Sequence, residues 1–249
     1  MTERPDVSIV IAFHNERDSL PQLLDELKAA LTDFPLTCET LLVDDASTDD
    51  GADMVERFAA SHEGFRLLRL ARRGGQTECY RSAFAAAHAP YIIRMDADLQ
   101  DSPADLVKFV EPMREGADLV MGLRECRRHR RLLRLASAVY DIMIMLIFDT
   151  PLHSNSGSYV CFRTALVKDV PFRKNDHRYL PLIAMRRGEG HVREVLVRHR
   201  SRRYGESKYR PFKKLLLGLP EVIRFLFRLK RGYYDLVRTP SGSSARSIR

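Results

Sequence analysis

Two aspartates one residue apart, Asp96 and Asp98, are the side chains of this sequence best suited to chemistry. They follow the apolar run 91–93, which is typical of a buried strand. In extended geometry they point to the same side, where two carboxylates repel each other unless a hard cation shares them. The pair therefore predicts a site that holds Mg²⁺ or Mn²⁺ against the diphosphate of a nucleotide. The alternative is a solvated turn in which Asp101 or Ser102 caps the next helix.

Strand and helix patterns alternate through the first half of the chain, which predicts a parallel sheet with helices on both faces. The predicted strands are 7–12, 39–43, 65–70, a fourth that leads into Asp96, and 119–122. The predicted helices are 19–31, 52–60, 76–87 and 103–115. Ligands bind outside the carboxyl ends of such strands. Polar or acidic residues follow three of them: Asn15, Glu16, Asp44, Asp45, Asp96 and Asp98.

The second half has less regular patterns. Its predicted elements are helix 132–148, strand 159–162, helix 178–187, strand 192–197 and amphipathic helix 212–236. The chain is therefore divided into a catalytic domain at 1–211, an amphipathic segment at 212–237 and a disordered basic tail at 238–249. The apolar stripe within 215–227 predicts core packing, with membrane or oligomer contact as the alternative.

The composition predicts one large domain, or a domain with an elaborated C-terminal part, because 249 residues with 45% hydrophobic and 30% charged side chains can bury a sizeable core. No apolar run approaches the roughly 18 residues of a membrane span, and the longest candidate is 142–148. We expect no signal peptide, because the chain begins with a short polar stretch and a strand. The four cysteines form no Cys-x-x-Cys pair and are expected to be free thiols in a reducing cytoplasm.

Charge is distributed unevenly along the chain. Residues 1–121 hold 12 basic and 23 acidic side chains, whereas residues 122–249 hold 29 basic and 10 acidic ones. The basic half predicts an anionic partner. Six arginines crowd into 124–134 beside the apolar helix 132–148, which favours contact with a membrane surface. A solvated face is the alternative, and we expect no nucleic acid because no binding module or interleaved aromatic residues are present.

The stretches that carry chemistry resemble those of the family-two glycosyltransferases. The closer resemblance is to the polyprenyl-phosphate branch, typified by dolichyl-phosphate mannose synthase, and it spans about residues 5–212. Its motifs are 7–11 with Asn15 and Glu16, 43–49, 96–100 with Pro103, 122–124, 156–157, and Arg202 with 205–209. The resemblance implies the GT-A fold, an α/β fold with a Rossmann-like mixed sheet flanked by helices and with amphipathic helices at its C-terminal end.

The resemblance also implies a donor site at the strand ends. The nucleotide sugar would be bound by Ala12, Phe13, Glu16, Asp45, Asp96 and Ala97. Of these, Asp45 would hydrogen-bond the nucleotide base. Mg²⁺ or Mn²⁺ and the sugar diphosphate would be held by Asp96, Asp98 and Gln100. Ala12 and His14 stand where the family usually has Pro-x-Tyr, so we expect a different edge of the nucleotide pocket.

An acceptor phosphate is the second implied ligand. It would be faced by Arg124, Arg134, Ser156, Arg202, Ser207 and Lys208, and the catalytic roles would fall on Asp98, Arg124 and Arg202. A phosphate with a second pKa of about 6 is already largely ionised at neutral pH, so it needs arginines to hold it rather than a strong base. Many relatives that glycosylate sugars carry a Glu-Asp or similar pair; this chain has no Glu-Asp dipeptide, although Asp176 could serve as a base.

These implications predict an inverting, metal-dependent transferase. It would move a hexose, mannose or glucose, from a GDP- or UDP-sugar to dolichyl or undecaprenyl phosphate. Many bacterial relatives carry two C-terminal transmembrane helices that are not seen in this chain. We therefore expect a peripheral protein on the cytoplasmic face of the membrane, bound directly, through a membrane-protein partner or as a homo-oligomer. The alternatives are a transferase of the same fold with a polysaccharide or other non-lipid acceptor, and a catalytically silent membrane-binding scaffold.

Overall fold

Seven strands form one mixed sheet in the residues that the computed structural model describes, which are 4–124, 142, 144–153, 157–200 and 211–236 (backbone only for 211–219). The strands are β1 (Val7–Phe13), β2 (Cys38–Asp44), β3 (Phe65–Arg69), β4 (Tyr91–Asp96), β5 (Leu119–Arg124), β6 (Val160–Arg163) and β7 (Val192–Val197). Their order is β3-β2-β1-β4-β6-β5-β7. Strand β6 runs antiparallel to β4 and β5, whereas the other pairs are parallel. The mixed sheet implied by the resemblance is confirmed. The five strands of the first half run in the same direction, as predicted from the alternation, and β6 from the second half is the antiparallel one.

Helices cover both faces of the sheet, as predicted. The α-helices are α1 (Leu20–Thr32), α2 (Gly51–Ser61), α3 (Gln76–Ala86), α4 (Val110–Arg114), α5 (Thr164–Val167), α6 (Leu180–Arg187) and α7 (Pro211–Lys230). Two 3-10 helices span Pro103–Phe109 and Asp176–Tyr179. Side chains alternate along β1, so Ile9 and Ile11 pack in one core with α1 and α2, while Val10 packs in the other with α3 and α6.

Three predicted helices differ from those in the structure. The helix predicted at 103–115 begins as a 3-10 helix, and so does the one predicted at 178–187, which starts earlier, at Asp176. The helix predicted at 212–236 ends at Lys230. Gly232 has a φ of +70°, and the Tyr233 N–H donates to the Arg228 carbonyl at 3.0 Å, which is the Schellman arrangement that stops a helix.

The described residues test the remaining predictions about the second half of the chain only in part. Of the helix predicted at 132–148, the structure describes 142 and 144–148, which are helical. The tail predicted at 238–249 lies outside the described residues. No helix among the described residues is long and apolar enough to span a bilayer.

Candidate active site

The carboxyl ends of β1, β2 and β4 meet at one edge of the sheet. In the parallel ladders Phe13 pairs with Asp44, and Ala12 pairs with Asp96. The loops that follow these strands therefore leave the sheet side by side. The structure thus brings together the strand ends that carry the residues predicted for the donor, whose ligand roles stay predictions.

The acidic pair spans the end of β4 and the tight loop that follows, with Asp96 as the last residue of the strand. Leu99 has a left-handed φ of +62°, and the Gln100 N–H donates to Asp98 Oδ1 at 3.2 Å. Burial raises the pKa of Asp96, although Arg94 favours the ionised form. A partly buried carboxylate with a raised pKa would be stabilised by a nearby cation.

The donor set fits a cation that is shared with a substrate. Within the described residues, no group of three His, Cys, Asp or Glu side chains could hold a metal ion without further ligands. Mg²⁺ is commonly held by only one or two carboxylates together with substrate phosphates. Asp96 and Asp98, with Gln100 beside them, therefore suit a metal bound with a diphosphate, and that role remains a prediction.

Arg94, which the sequence reading missed, joins β4 to two other segments. Its buried guanidinium donates to the carbonyls of Gly157, Ser158 and His177 at 3.1, 3.1 and 2.9 Å. The guanidinium carbon also lies 4.9 Å from the centre of the Tyr80 ring. The available signal was an arginine within an otherwise apolar strand, because such a charge needs partners from elsewhere in the fold.

Asp101 and Arg124 form a second polar cluster beside the acidic loop. The Ser158 hydroxyl donates to Asp101 Oδ2 at 2.7 Å and accepts from Arg124 Nη2 at 3.0 Å. Asp101 is fully buried, which raises its pKa, but His199, Arg124 and Ser158 outweigh burial and hold the pKa below its ordinary value. The cluster fixes Arg124 at the end of β5. The buried Nε of Arg124 has no acceptor among the described residues.

This arrangement excludes the capping role considered for Asp101 and Ser102. Neither residue caps the 3-10 helix Pro103–Phe109 through its side chain. Asp101 instead binds the groups around Arg124, and the Ser102 hydroxyl accepts from Arg200 Nη2 at 3.0 Å. The loop is therefore built from contacts between distant segments rather than as a solvated turn.

Asp45 lies at the end of β2 with its side chain almost completely buried. Its carboxylate accepts the N–H of Gly74 at 2.7 Å and the N–H of Gly75 at 2.9 Å. The neighbouring turn is tied to the β1 loop, where Asn15 Oδ1 accepts the Thr48 N–H at 2.8 Å. Asp45 thus positions the start of α3, and its predicted hydrogen bond to a nucleotide base remains a prediction.

The base role considered for Asp176 does not fit the structure. Its fully buried carboxylate accepts from Arg228 Nη2, the Tyr234 hydroxyl and the Arg173 N–H, each at 2.7 Å. Burial raises its pKa in spite of these donors. Because the carboxylate is fully buried and accepts three hydrogen bonds, Asp176 ties the end of α7 to the domain and is not open to a substrate. His177 Nδ1 lies 2.8 Å from the Thr77 hydroxyl.

The acceptor site is only partly described. Arg124 lies beside Ser158 and Asp101, and its acceptor role remains a prediction. The other predicted acceptor residues lie outside the described residues: Arg134, Ser156, Arg202, Ser207 and Lys208.

A mixed sheet flanked by helices, with an acidic loop at its carboxyl edge, is the arrangement of a nucleotide-sugar transferase. The family model described as "Glycosyl transferase family 2" matches residues 8–170. The chain therefore belongs to glycosyl transferase family 2, and its fold is the GT-A fold.

Two curated relatives show which proteins this chain resembles in sequence. The undecaprenyl-phosphate 4-deoxy-4-formamido-L-arabinose transferase of Pseudomonas syringae pv. syringae (strain B728a) is 30% identical over 212 residues, which are 85% of this chain and 63% of that protein. The dodecaprenyl-phosphate galacturonate synthase of Rhizobium johnstonii is 31% identical over 239 residues, 92% of this chain and 70% of that protein. The chain thus spans about two thirds of the length of these relatives.

Solved structures agree with the fold. Glucosyl-3-phosphoglycerate synthase from Mycobacterium tuberculosis, crystallised with Mn²⁺, UDP and glucosyl-3-phosphoglycerate, has a TM-score of 0.67 and 19% identity, and the match covers 90% of this chain and 80% of that one. Mannosyl-3-phosphoglycerate synthase from Rubrobacter xylanophilus has a TM-score of 0.68 and 18% identity, with 96% and 79% covered. At these identities the likeness concerns the fold alone.

Proposed function

We propose that this protein transfers a sugar from a nucleotide sugar to a polyprenyl phosphate. The observation that carries the proposal is that Arg124, proposed to hold the acceptor phosphate, lies near the acidic loop of Asp96 and Asp98, which is proposed to bind a cation. Both relatives described above are named for polyprenyl-phosphate sugar chemistry.

On the donor side, a nucleoside diphosphate would bind along the neighbouring ends of β1, β2 and β4. Asp45 has acceptor capacity left beyond the Gly74 and Gly75 N–H groups, because an ionised carboxylate has about four lone-pair sites. Ala12 and Phe13 would form the floor of the nucleotide pocket, with Ala97 near the sugar diphosphate. A divalent cation, Mg²⁺ or Mn²⁺, bound at Asp96 and Asp98 would act as a Lewis acid on the leaving diphosphate.

On the acceptor side, Arg124 would hold the phosphate in line with the anomeric carbon. Asp101 and Ser158 fix the orientation of its guanidinium, while the buried Nε lacks an acceptor among the described residues. An arginine held in this way can form charge-assisted hydrogen bonds with a phosphate without losing much conformational freedom. Arg202, Ser207 and Lys208 would complete this side.

The reaction needs no protein base in this proposal. An oxygen of the ionised acceptor phosphate forms the new bond to the anomeric carbon, and the nucleoside diphosphate leaves with the electron pair of the broken bond. A single displacement of this kind inverts the anomeric centre. The occupied carboxylate of Asp176 supports it, because that group is not open to accept a proton from a hydroxyl acceptor.

Contact with the lipid would come from an exposed apolar face at the C-terminal end of the domain. Ile223 and Phe227 on α7 are 44% and 59% exposed, and the nearby helical residue Leu146 is 80% exposed. The two segments pack together, since the rings of Phe148 and Phe225 lie 5.6 Å apart. Apolar side chains among basic ones suit an anionic membrane surface, so we propose peripheral association on the cytoplasmic face.

The finer choices are a six-carbon donor sugar and GDP or UDP as the nucleotide. A panel of labelled GDP-mannose, UDP-glucose and UDP-glucuronate, incubated with undecaprenyl phosphate and Mn²⁺ or Mg²⁺, tests them together. Label in the organic phase with one donor supports the proposal. Transfer only to a soluble or polysaccharide acceptor would support the alternative transferase instead.

A further inference from the structure

A cleft of about 410 Å³ opens between the start of α3 and residues 173–177. Its walls carry three cations, Arg81, Arg173 and Lys174, and one carboxylate, Glu78. This balance favours an anionic ligand.

The three cations differ in how far their charge is already neutralised. Arg81 Nη1 lies 3.1 Å from Glu78 Oε2, so these two charges largely offset each other. Arg173 Nε donates to the neutral Tyr233 hydroxyl at 2.8 Å, which orients the guanidinium without neutralising it. The Lys174 ammonium is exposed and has no ion pair or hydrogen bond within the described part of the chain. Arg173 and Lys174 therefore supply the uncompensated positive charge.

The backbone of α3 adds donors to the same cleft. Gly75 stands at the N-cap position and offers no side chain to cap the helix. The N–H groups of Gln76 and Thr77 lie in the first helical turn, where no intrahelical acceptor is available. Gln76 and Thr77 line the same cleft as the two cations.

The cleft shares its walls with the proposed donor site. Its residues Gly74 and Gly75 donate to Asp45, and the carbonyl of His177 accepts from Arg94 Nη1 at 2.9 Å. Arg94 lies two residues before Asp96 on β4. A nucleotide sugar with its base at Asp45 and its diphosphate at Asp96 would extend its sugar beside the cleft.

We propose that the cleft recognises a carboxylate on the donor sugar, so that the donor is a nucleotide hexuronate rather than a neutral hexose. This inference rests on the function proposed above and names its substrate class. The Lys174 ammonium and the Arg173 guanidinium would bind the carboxylate through charge-assisted hydrogen bonds. An acceptor phosphate is the other source of an anion, and the experiment separates the two.

Isothermal titration calorimetry with matched donor pairs tests the inference. UDP-galacturonate is compared with UDP-galactose, and GDP-mannuronate with GDP-mannose, with UDP and GDP as references in Mn²⁺. We expect the acidic member of at least one pair to bind about tenfold more tightly than its neutral counterpart, as one charged hydrogen bond allows. Lys174→Ala should remove this preference and leave UDP or GDP affinity unchanged. Lys28→Ala, an exposed lysine on α1, is the matched control and should keep it.

Three results would overturn the inference. The first is equal affinity for both members of each pair, or a preference that survives both Lys174→Ala and Arg173→Ala; the proposed function would then still stand. The second is that Lys174→Ala raises the KM for undecaprenyl phosphate with a neutral donor and leaves donor binding unchanged, which assigns the anion to the acceptor. The third is that neither UDP nor GDP binds, which overturns the proposed function as well.

Discussion

Asp98 is the residue whose replacement tests the cation site most narrowly. Asp98→Asn keeps the shape of the side chain but removes the charge, so we expect turnover to fall at least about a hundredfold, as when a group that stabilises developing charge is lost. Titration with Mn²⁺ in the presence of UDP or GDP should show a parallel loss of metal binding.

Asp25→Asn is the control for that change, because Asp25 is exposed on α1 and takes no part in the proposed site. Its turnover and its Mn²⁺ binding should equal those of the unmodified protein. Full turnover of Asp98→Asn with Mn²⁺ would contradict the assignment of the acidic loop.

Replacing Arg124 should impair the use of the acceptor more than the binding of the donor nucleotide. Arg124→Ala removes the guanidinium that is proposed to donate hydrogen bonds to the acceptor phosphate. It is expected to lower kcat/KM for undecaprenyl phosphate by about ten- to a hundredfold, the range of a charged hydrogen bond. Calorimetry should find UDP or GDP affinity unchanged. The exposed residue Arg114 offers a matched arginine-to-alanine control. A loss of nucleotide affinity as large as the loss of acceptor use would place Arg124 on the donor side instead.

Local spacing was enough to find the acidic pair but not the groups that hold it. Asp96 and Asp98 are visible because their spacing and the strand before them lie within a few residues of each other. For Asp101 the local pattern suggests only the alternative of a helix cap, yet its partner Ser158 lies 57 positions away. Asp176 was read as a candidate base because its engagement with Arg228 and Tyr234 depends on packing that no local pattern reveals.

Asp105 links the 3-10 helix Pro103–Phe109 to the end of β7, and this link should depend on pH. Its buried carboxylate accepts from the N–H of Arg198 at 2.6 Å and from its guanidinium. Burial raises the pKa, but the bonds to Arg198 and Lys108 outweigh it and lower the pKa. A carboxylate of this kind stabilises the fold above its ordinary pKa of about 3.9 and loses that effect as the pH falls below it.

We therefore expect Asp105→Asn to lower the free energy of unfolding by about 2 kcal/mol at neutral pH, the scale of a lost charged hydrogen bond. Urea denaturation at a series of pH values should show this difference shrinking below about pH 4. The exposed Asp25→Asn variant should show no such difference. A deficit of the same size at all pH values would mean that packing rather than charge is lost.

The outward face of α7 should govern attachment to membranes. Phe227→Glu replaces an exposed apolar ring with a carboxylate that anionic headgroups repel, so we expect binding to phosphatidylglycerol vesicles to weaken at least about tenfold. Val107→Glu is the matched control, because Val107 is 53% exposed on the 3-10 helix Pro103–Phe109. Equal vesicle binding by the two variants in a flotation assay would show that this face does not contact lipid.

Periodicity predicted the elements well and their connections less well. The strands of the first half were found because they are apolar runs bounded by turn residues. The direction of β6 was not predicted from the pattern, because a short run of three buried apolar residues looks alike in parallel and antiparallel strands. The end of α7 was missed even though Gly232 is a typical stop signal, because the apolar pattern continues beyond it.

At the scale of the whole molecule, the uneven charge agrees with the proposed division of labour. The acidic first half contributes the strand ends proposed for the donor, and the strongly basic second half contributes the proposed acceptor and membrane contacts. Composition alone could not distinguish a phosphate-bearing lipid from another anion. That distinction depends on Arg124, Asp101 and Ser158, which come together only in the folded chain.

The most direct test of the central claim compares undecaprenyl phosphate with undecaprenol as acceptors. Both lipids are offered in detergent with the same labelled donor and Mn²⁺, and label is counted in the organic phase. An enzyme that holds an ionised phosphate and lacks an available base should glycosylate undecaprenyl phosphate and leave undecaprenol unmodified. Equal transfer to both lipids, or transfer to neither while a soluble sugar acceptor is glycosylated, would contradict the account.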